Sequence, residues 1–130
     1  MSYEVVWEPR GALKRFEGVV SSADLIRSVV ETEADARFDS LRFVINDFRD
    51  VSRIDFDAED VSEVATIDLG ASRTNPSIRI AVVATNAEVI ALAEHYANSP
   101  LNVYPTQIFA TMEAARAWVA EPGEFRSTHW

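Results

Sequence analysis

Six of the seven residues from Ile78 to Ala84 (Ile-Arg-Ile-Ala-Val-Val-Ala) are apolar, and four of those are β-branched. A strand without polar alternation is covered on both faces, which suits a mostly parallel sheet with helices packed on it. Leu41–Asn46 (Leu-Arg-Phe-Val-Ile-Asn) is a second run of this kind. Around these two strands the sequence alternates with helical stretches. Ser21 or Ser22 caps a helix with Leu25, Ile26, Val29 and Val30 on one face and Asp24, Arg27, Ser28 and Glu31 on the other. Asp57, with Asp60 three residues on, opens a second helix striped by Val61, Val64 and Ala65, with Gly70 at the position of a C-terminal cap. Asn86 opens a third, with Val89, Leu92, Ala93 and Tyr96 inward and Asn98-Ser-Pro as its stop. Thr111 opens a fourth, with Met112, Ala115 and Val119 on its stripe and Trp118 beside it.

The N-terminal stretch alternates differently. Tyr3, Val5 and Trp7 point one way and Glu4, Val6 and Glu8 the other, which is a strand. Pro9-Arg10-Gly11 reads as a tight turn with Gly11 free to take a positive φ, followed by a strand over Ala12–Val20. The last strand lies within Val103–Ala110. Pro105 removes a ladder donor there, so this strand is expected to be short and at the sheet edge. The segment Asp47–Phe56 reads as a charged loop. The resulting order, β-β-α-β-α-β-α-β-α, predicts one mostly parallel, five-stranded mixed sheet with flanking helices and right-handed crossovers. A chain of 130 residues is one domain by size, expected over 1–121, with 122–130 as a tail that has no period.

Composition removes several classes of chemistry. The chain has no Cys, so disulfides, thiol catalysis and Cys-ligated metals are out. Two histidines, His95 and His129, cannot build a multi-histidine metal cage. The four glycines form no phosphate-cradling loop. No cofactor is implied. The net charge is −9, and from Glu31 to Asp68 there are 12 acids against 4 bases. Such a field repels phosphate backbones and anionic lipid headgroups, so nucleic acid is not an expected partner. No apolar run is long enough for membrane insertion, and the N-terminus lacks the pattern of a signal peptide. A cytoplasmic globular protein is the expectation.

Four features fall in a recognisable order. They are Asp35-Ala-Arg37-Phe38 ahead of the third strand, Asp47 closing it, Ile80-Ala-Val-Val in the fourth, and Phe109…Glu113-Ala114…Trp118 in the last strand and helix. Together, over roughly residues 3 to 120, they resemble the small bacterial SpoIIAA-like proteins of STAS/SEC14 type. The resemblance implies the SpoIIAA-like fold and a non-enzymatic role in protein interaction or regulation. In the best understood members, a Ser at the start of the second helix, in an Asp-Ser-Ser-Gly-like turn, is phosphorylated by an anti-sigma kinase. The matching stretch here is Asp55-Phe56-Asp57-Ala58, with Asp57 in place of that Ser and Ala58 in place of the following Gly. A fixed carboxylate therefore stands where phosphate would come and go.

The working surface expected on this basis comprises Asp55, Phe56, Asp57, Ala58 and Val61, with Phe48 adding apolar area if exposed. Its occupant would be a protein partner or a second copy in a homodimer. A second reading is a small carrier of an apolar or lipid ligand, drawing on Trp7, Phe16, Phe43, Tyr96, Phe109 and Trp118. The same aromatics are needed to fill a core of this size. A third is a metal-assisted hydrolase using Asp47, Asp55 and Asp57, with oxygen ligands suited to a hard cation. Against it, Arg49 and Arg53 neutralise the same segment, and no base–nucleophile pair is evident. A phospho-receiver would need a Lys at the end of a late strand, whereas the chain's one lysine, Lys14, lies in the second.

Overall fold

The computed structural model describes residues 2–122; of the expected tail only Pro122 is included, and His129 lies outside the described residues. The strands are β1 (Tyr3–Glu8), β2 (Gly11–Ser21), β3 (Phe43–Asp55), β4 (Arg79–Val83) and β5 (Thr106–Phe109). The helices are α1 (Ser22–Ala34), α2 (Ala58–Ala71), α3 (Ala87–Ala97) and α4 (Met112–Val119), and a 3-10 turn, Ala36–Ser40, follows α1. The sheet order is β1-β2-β3-β4-β5. β1 pairs antiparallel with β2, and every other pair is parallel. This is the five-stranded mixed sheet read from the sequence, with the last strand short, at the edge and beginning just after Pro105.

Because the strands are added in chain order in one direction, right-handed crossovers place α1, α2 and α3 on the same face. Their apolar residues, among them Leu25, Val29, Val61, Val64, Val89 and Tyr96, pack on Ala12, Phe16, Val44, Phe48, Ile80 and Val82. The opposite face carries Leu13, Ile45, Ala81 and Val83 and is covered by α4 through Ala115, Met112 and Trp118. Side chains alternate along each strand, so a residue's position in β2, β3 or β4 decides which core it joins.

The helix starts follow the expected capping chemistry. Ser21 Oγ accepts from the Asp24 amide, Asn86 from Glu88 and Val89, and Thr111 from Ala114. Asp57 and Asp60 form a reciprocal capping box on α2. The motif at Asp35 has a local cause as well. Its carboxylate caps the 3-10 turn and pairs with Arg37 at 2.9 Å, Arg37 lies 4.1 Å over the Trp7 ring, and Phe38 is buried beneath.

Four local expectations are corrected. The segment Asp47–Asp55 is strand, not loop: β3 continues alongside β2 as far as the Ser21–Asp55 pair, whereas β4 stops pairing at Asp47. The far half of β2–β3 is thus a two-stranded ribbon with Val20 and Ile54 buried on one side and the other side wet, which tolerates charges that a central strand would not. Two register irregularities and a positive φ of 65° at Gly18 bend it. In the first hairpin Arg10, not Gly11, takes the positive φ, 64°. Gly11 is needed for a different reason, because a Cβ there would lie 2.0 Å from the Phe43 ring. Gly70 does not end α2, which runs through it to Ala71. Ser28 faces the core rather than water, its hydroxyl donating to the Leu25 carbonyl at 2.7 Å, while Val30 is exposed.

Candidate functional site

Between the sheet and the layer α1–α2–α3 lies a cavity of about 110 Å³. Its walls are mainly apolar. Phe48, Phe56, Val61 and Val89 line the end beside the start of α2; Lys14, Glu33, Asp68 and Tyr96 line the end beside the last turns of the three helices. Each polar residue arrives from a different element. Lys14 is brought in by strand phase: it alternates with Ala12 and Phe16 and stands in register with Asn46, itself paired with Val82. Glu33 projects from the C-terminal turn of α1, Asp68 from α2, and Tyr96 from the last turn of α3.

Lys14 is buried. Its amine has no hydrogen bond and no ion pair within 4.0 Å among the described residues, and it opens on the cavity. Burial pushes its pKa down to about 8, against the opposing pull of Asp68, Glu33 and Glu31. Burial and the neighbouring Asp68 hold the Glu33 carboxyl well above the usual carboxylate range. Tyr96 donates to an Asp68 carboxylate oxygen at 2.6 Å, and burial together with that carboxylate raises its own ionisation far above the ordinary phenol value. Tyr104 borders the same space, but its hydroxyl is committed to the Asn75 carbonyl at 2.7 Å. The C-terminal ends of α1, α2 and α3 add partial negative charge around the amine. One cation, two carboxyl groups and a phenol thus form a largely self-compensating cluster at the closed end of an apolar space.

The residues expected to form an outer docking surface divide between inside and outside. Asp55 and Asp57 are exposed, and Phe56 and Ala58 are half-buried. Phe48 and Val61 are buried, at 8% and 6% exposure, and belong to the cavity wall. For Phe48 the reason is strand alternation: it shares a face with Asn46 and stacks on Phe16 at 4.5 Å with rings nearly parallel. For Val61 it is the helical stripe shared with Val64 and Ala65. Phe56, last before the cap of α2, reaches from the surface into the cavity.

The acids of the hydrolase reading do not assemble. Asp47 is buried on the α4 side of the sheet and forms a two-pronged pair with Arg49 at 2.9 Å. Asp57 spends its carboxylate on the Glu59 and Asp60 amides, and Asp55 stands exposed at the end of β3. Among the described residues no group of three His, Cys, Asp or Glu is placed to hold a metal ion. His95 is exposed on α3 with Nε2 3.2 Å from Ser62 Oγ. No carboxylate among the described residues orients that imidazole, so the pair lacks the third member a nucleophilic triad uses.

The polar end of the cavity was partly readable. Lys14 is in phase with Ala12, Phe16 and Val20, and a lysine on the apolar phase of a strand is a signal in itself. Glu33 and Asp68 gave none, since each looks like one more acid in an acidic stretch until the helices are packed.

No helix among the described residues is long and apolar enough to cross a membrane. No protein-family model matches the chain, and no curated protein matches it in sequence. Solved structures do match in fold. The anti-sigma factor antagonist SpoIIAA in its unphosphorylated form superposes with a TM-score of 0.60 at 10% identity, covering 90% of this chain and 96% of that one. The phosphorylated form of SpoIIAA, the Bacillus cell fate determinant, gives 0.57 at 13% identity, covering 90% and 98%. An uncharacterized DUF3478-family protein with a SpoIIAA-like fold from Shewanella loihica PV-4 gives 0.54 at 11%, covering 90% and 91%.

Proposed function

Starting from a SpoIIAA-like fold, we propose that this chain is a small, non-enzymatic, cytoplasmic binding domain that holds an uncharged apolar molecule in the cavity beneath α1, α2 and α3. The observation that carries this reading is the cavity itself, mainly apolar and lined on one side by the Lys14–Glu33–Asp68–Tyr96 cluster. The Asp68 carboxylate already answers the single cation and Glu33 is pushed towards its neutral form, so the cluster offers a guest hydrogen bonds rather than net charge. A cavity of about 150 Å³ in another protein takes benzene. The space here suits a guest somewhat smaller, or the end of a longer chain where the walls give way beside Phe56.

The test uses butan-1-ol as probe. Wild-type protein is expected to show a dose-dependent rise in Tm with butan-1-ol. Val61→Phe, which fills the apolar end, should keep its circular dichroism and lose the shift; Ala93→Leu serves as a second filling variant from another helix. Native mass spectrometry of freshly purified protein would reveal a tightly held guest. No bound species together with no wild-type shift would remove the reading.

A second reading concerns the outer corner. Asp55, Phe56, Asp57 and Ala58 stand together at the lip of the cavity, and no cation among the described residues pairs with either acid within 4.0 Å. In an anti-sigma-factor-antagonist-like role this corner would receive a protein partner or a second copy of the chain. Asp57→Ser removes the charge while retaining a good N-cap; Asp57→Ala would also cost about 1 kcal/mol of helix stability. If the corner forms a homodimer, Phe56→Ser with Asp57→Ser shifts the sedimentation profile towards monomer. An unchanged profile removes the corner as the dimer face.

A further inference from the structure

We propose that Lys14 captures small apolar aldehydes or ketones in the cavity as imines, so that the guest is held by a reversible covalent bond. The proposal rests on the reading that the cavity admits an uncharged apolar guest, and it adds the guest's reactive group.

The geometry has three parts. First, Lys14 is a buried residue lining the cavity, and its amine has no hydrogen bond or ion pair among the described residues, so nothing must be broken before it reacts. A lysine in such surroundings has a free-base fraction near neutral pH, which ordinary surface lysines lack. With a pKa of about 8 that fraction is about a tenth at pH 7. Second, Glu33 lies in the same end of the cavity and is held in its protonated form, which supplies a proton donor and, after donation, an acceptor. Third, the charges around Lys14 are already balanced. Asp68 from α2 and Glu33 from α1 line the cavity with it, the Glu31 carboxylate acts only from a distance and is bonded to Tyr3, and Tyr96 from α3 is tied to Asp68. A balanced cluster offers an anionic guest no counter-charge, whereas a carbonyl compound needs none and presents one electrophilic carbon.

The step balances without oxidant or reductant. The neutral amine nitrogen attacks the carbonyl carbon, a C–N bond forms, and the π pair moves to oxygen, which takes a proton from Glu33. The nitrogen then returns a proton to the Glu33 carboxylate, leaving a neutral carbinolamine. Glu33 protonates the hydroxyl, the C–O bond breaks, and water departs. The resulting iminium gives its remaining N–H proton back to Glu33. The products are one imine and one water. The same steps in reverse release the guest when water re-enters.

The sequence makes the test clean, since Lys14 is the only lysine and the N-terminal amine the only other primary amine. The full chain is incubated with butanal and sodium cyanoborohydride at about pH 7, digested, and mapped by mass spectrometry. In an unstructured peptide the α-amine, with its lower pKa, outruns lysine. Here Lys14 is expected to gain its butyl group at least about tenfold faster than the N-terminus, and Glu33→Gln should slow that labelling about tenfold. Label confined to the N-terminus, or reaching Lys14 only after unfolding in urea, overturns the proposal. Where butan-1-ol still raises Tm, the imine fails alone and the cavity reading stands; where that shift is also missing, both fail.

Discussion

Lys14→Met is expected to stabilise the protein by about 2 kcal/mol at pH 7, although it removes the chain's only lysine from the middle of a strand. Burial is the dominant influence on this amine and holds its pKa at about 8, against 10.5 for a free side chain. Keeping it charged in the fold therefore costs about 3 kcal/mol, at 1.36 kcal/mol per unit. Methionine removes that cost, in which the attraction of the neighbouring carboxylates is already counted, and its imperfect match to the lysine's length makes the net gain smaller. The pH dependence is a second signature. For a group whose folded pKa is depressed, the unfolded chain binds more protons between the two values. The Lys14 contribution to stability should therefore rise from pH 8 towards 10, and that gain is lost as pH falls back through 8. Above pH 10 the raised phenols Tyr96 and Tyr104 act the other way, being costly to ionise in the fold. Glu33, raised in the fold, contributes stability that is complete below its unfolded value near 4.5 and declines as pH rises towards its folded one. Urea titrations at pH 7 and pH 10 should find that the Met variant loses stability across this window as Glu33 ionises, while wild type loses less by the amount the Lys14 amine returns. A Met variant less stable than wild type by 1 kcal/mol or more at pH 7 would show that Lys14 holds the fold together, not that the fold tolerates it for another purpose.

Phe16→Ala is expected to cost about 3–5 kcal/mol, a large share of the total stability of a domain this size. Phe16 is 2% exposed in β2. It stacks on Phe48 of β3 at 4.5 Å with planes 3° apart and meets Tyr3 of β1 at 6.0 Å, so its ring joins three adjacent strands. Truncation leaves a void that flat neighbouring rings cannot collapse to fill. Phe16→Leu should recover more than half of the loss. Chemical denaturation reads both, and a Phe16→Ala cost below 1 kcal/mol would contradict the packing described.

Local chemistry was legible wherever cause and effect lie within a few residues. The Ser21, Asp57, Asn86 and Thr111 caps satisfy amides two or three positions on, and Pro105 stands just before the short edge strand β5. The Asp35–Arg37 pair likewise closes on itself. The alternating order of strands and helices then leaves few topologies once crossovers are right-handed. Reading failed where the outcome depends on what another strand does. Asp47–Asp55 looks like a loop because its charges suit water, yet it is strand because the far half of β2 is long enough to pair with it.

Strand phase, capping and the burial of the Ile78–Ala84 run follow from the amino-acid order, because each is a property of neighbours along the chain. The cavity, its charged end and the inward turn of Phe48 and Val61 do not. Lys14, Glu33 and Asp68 come from β2, α1 and α2, and a carboxylate acquires its altered proton affinity only when helix packing has taken the water away. Desolvation is a property of the assembled layers, and no stretch of sequence carries it alone.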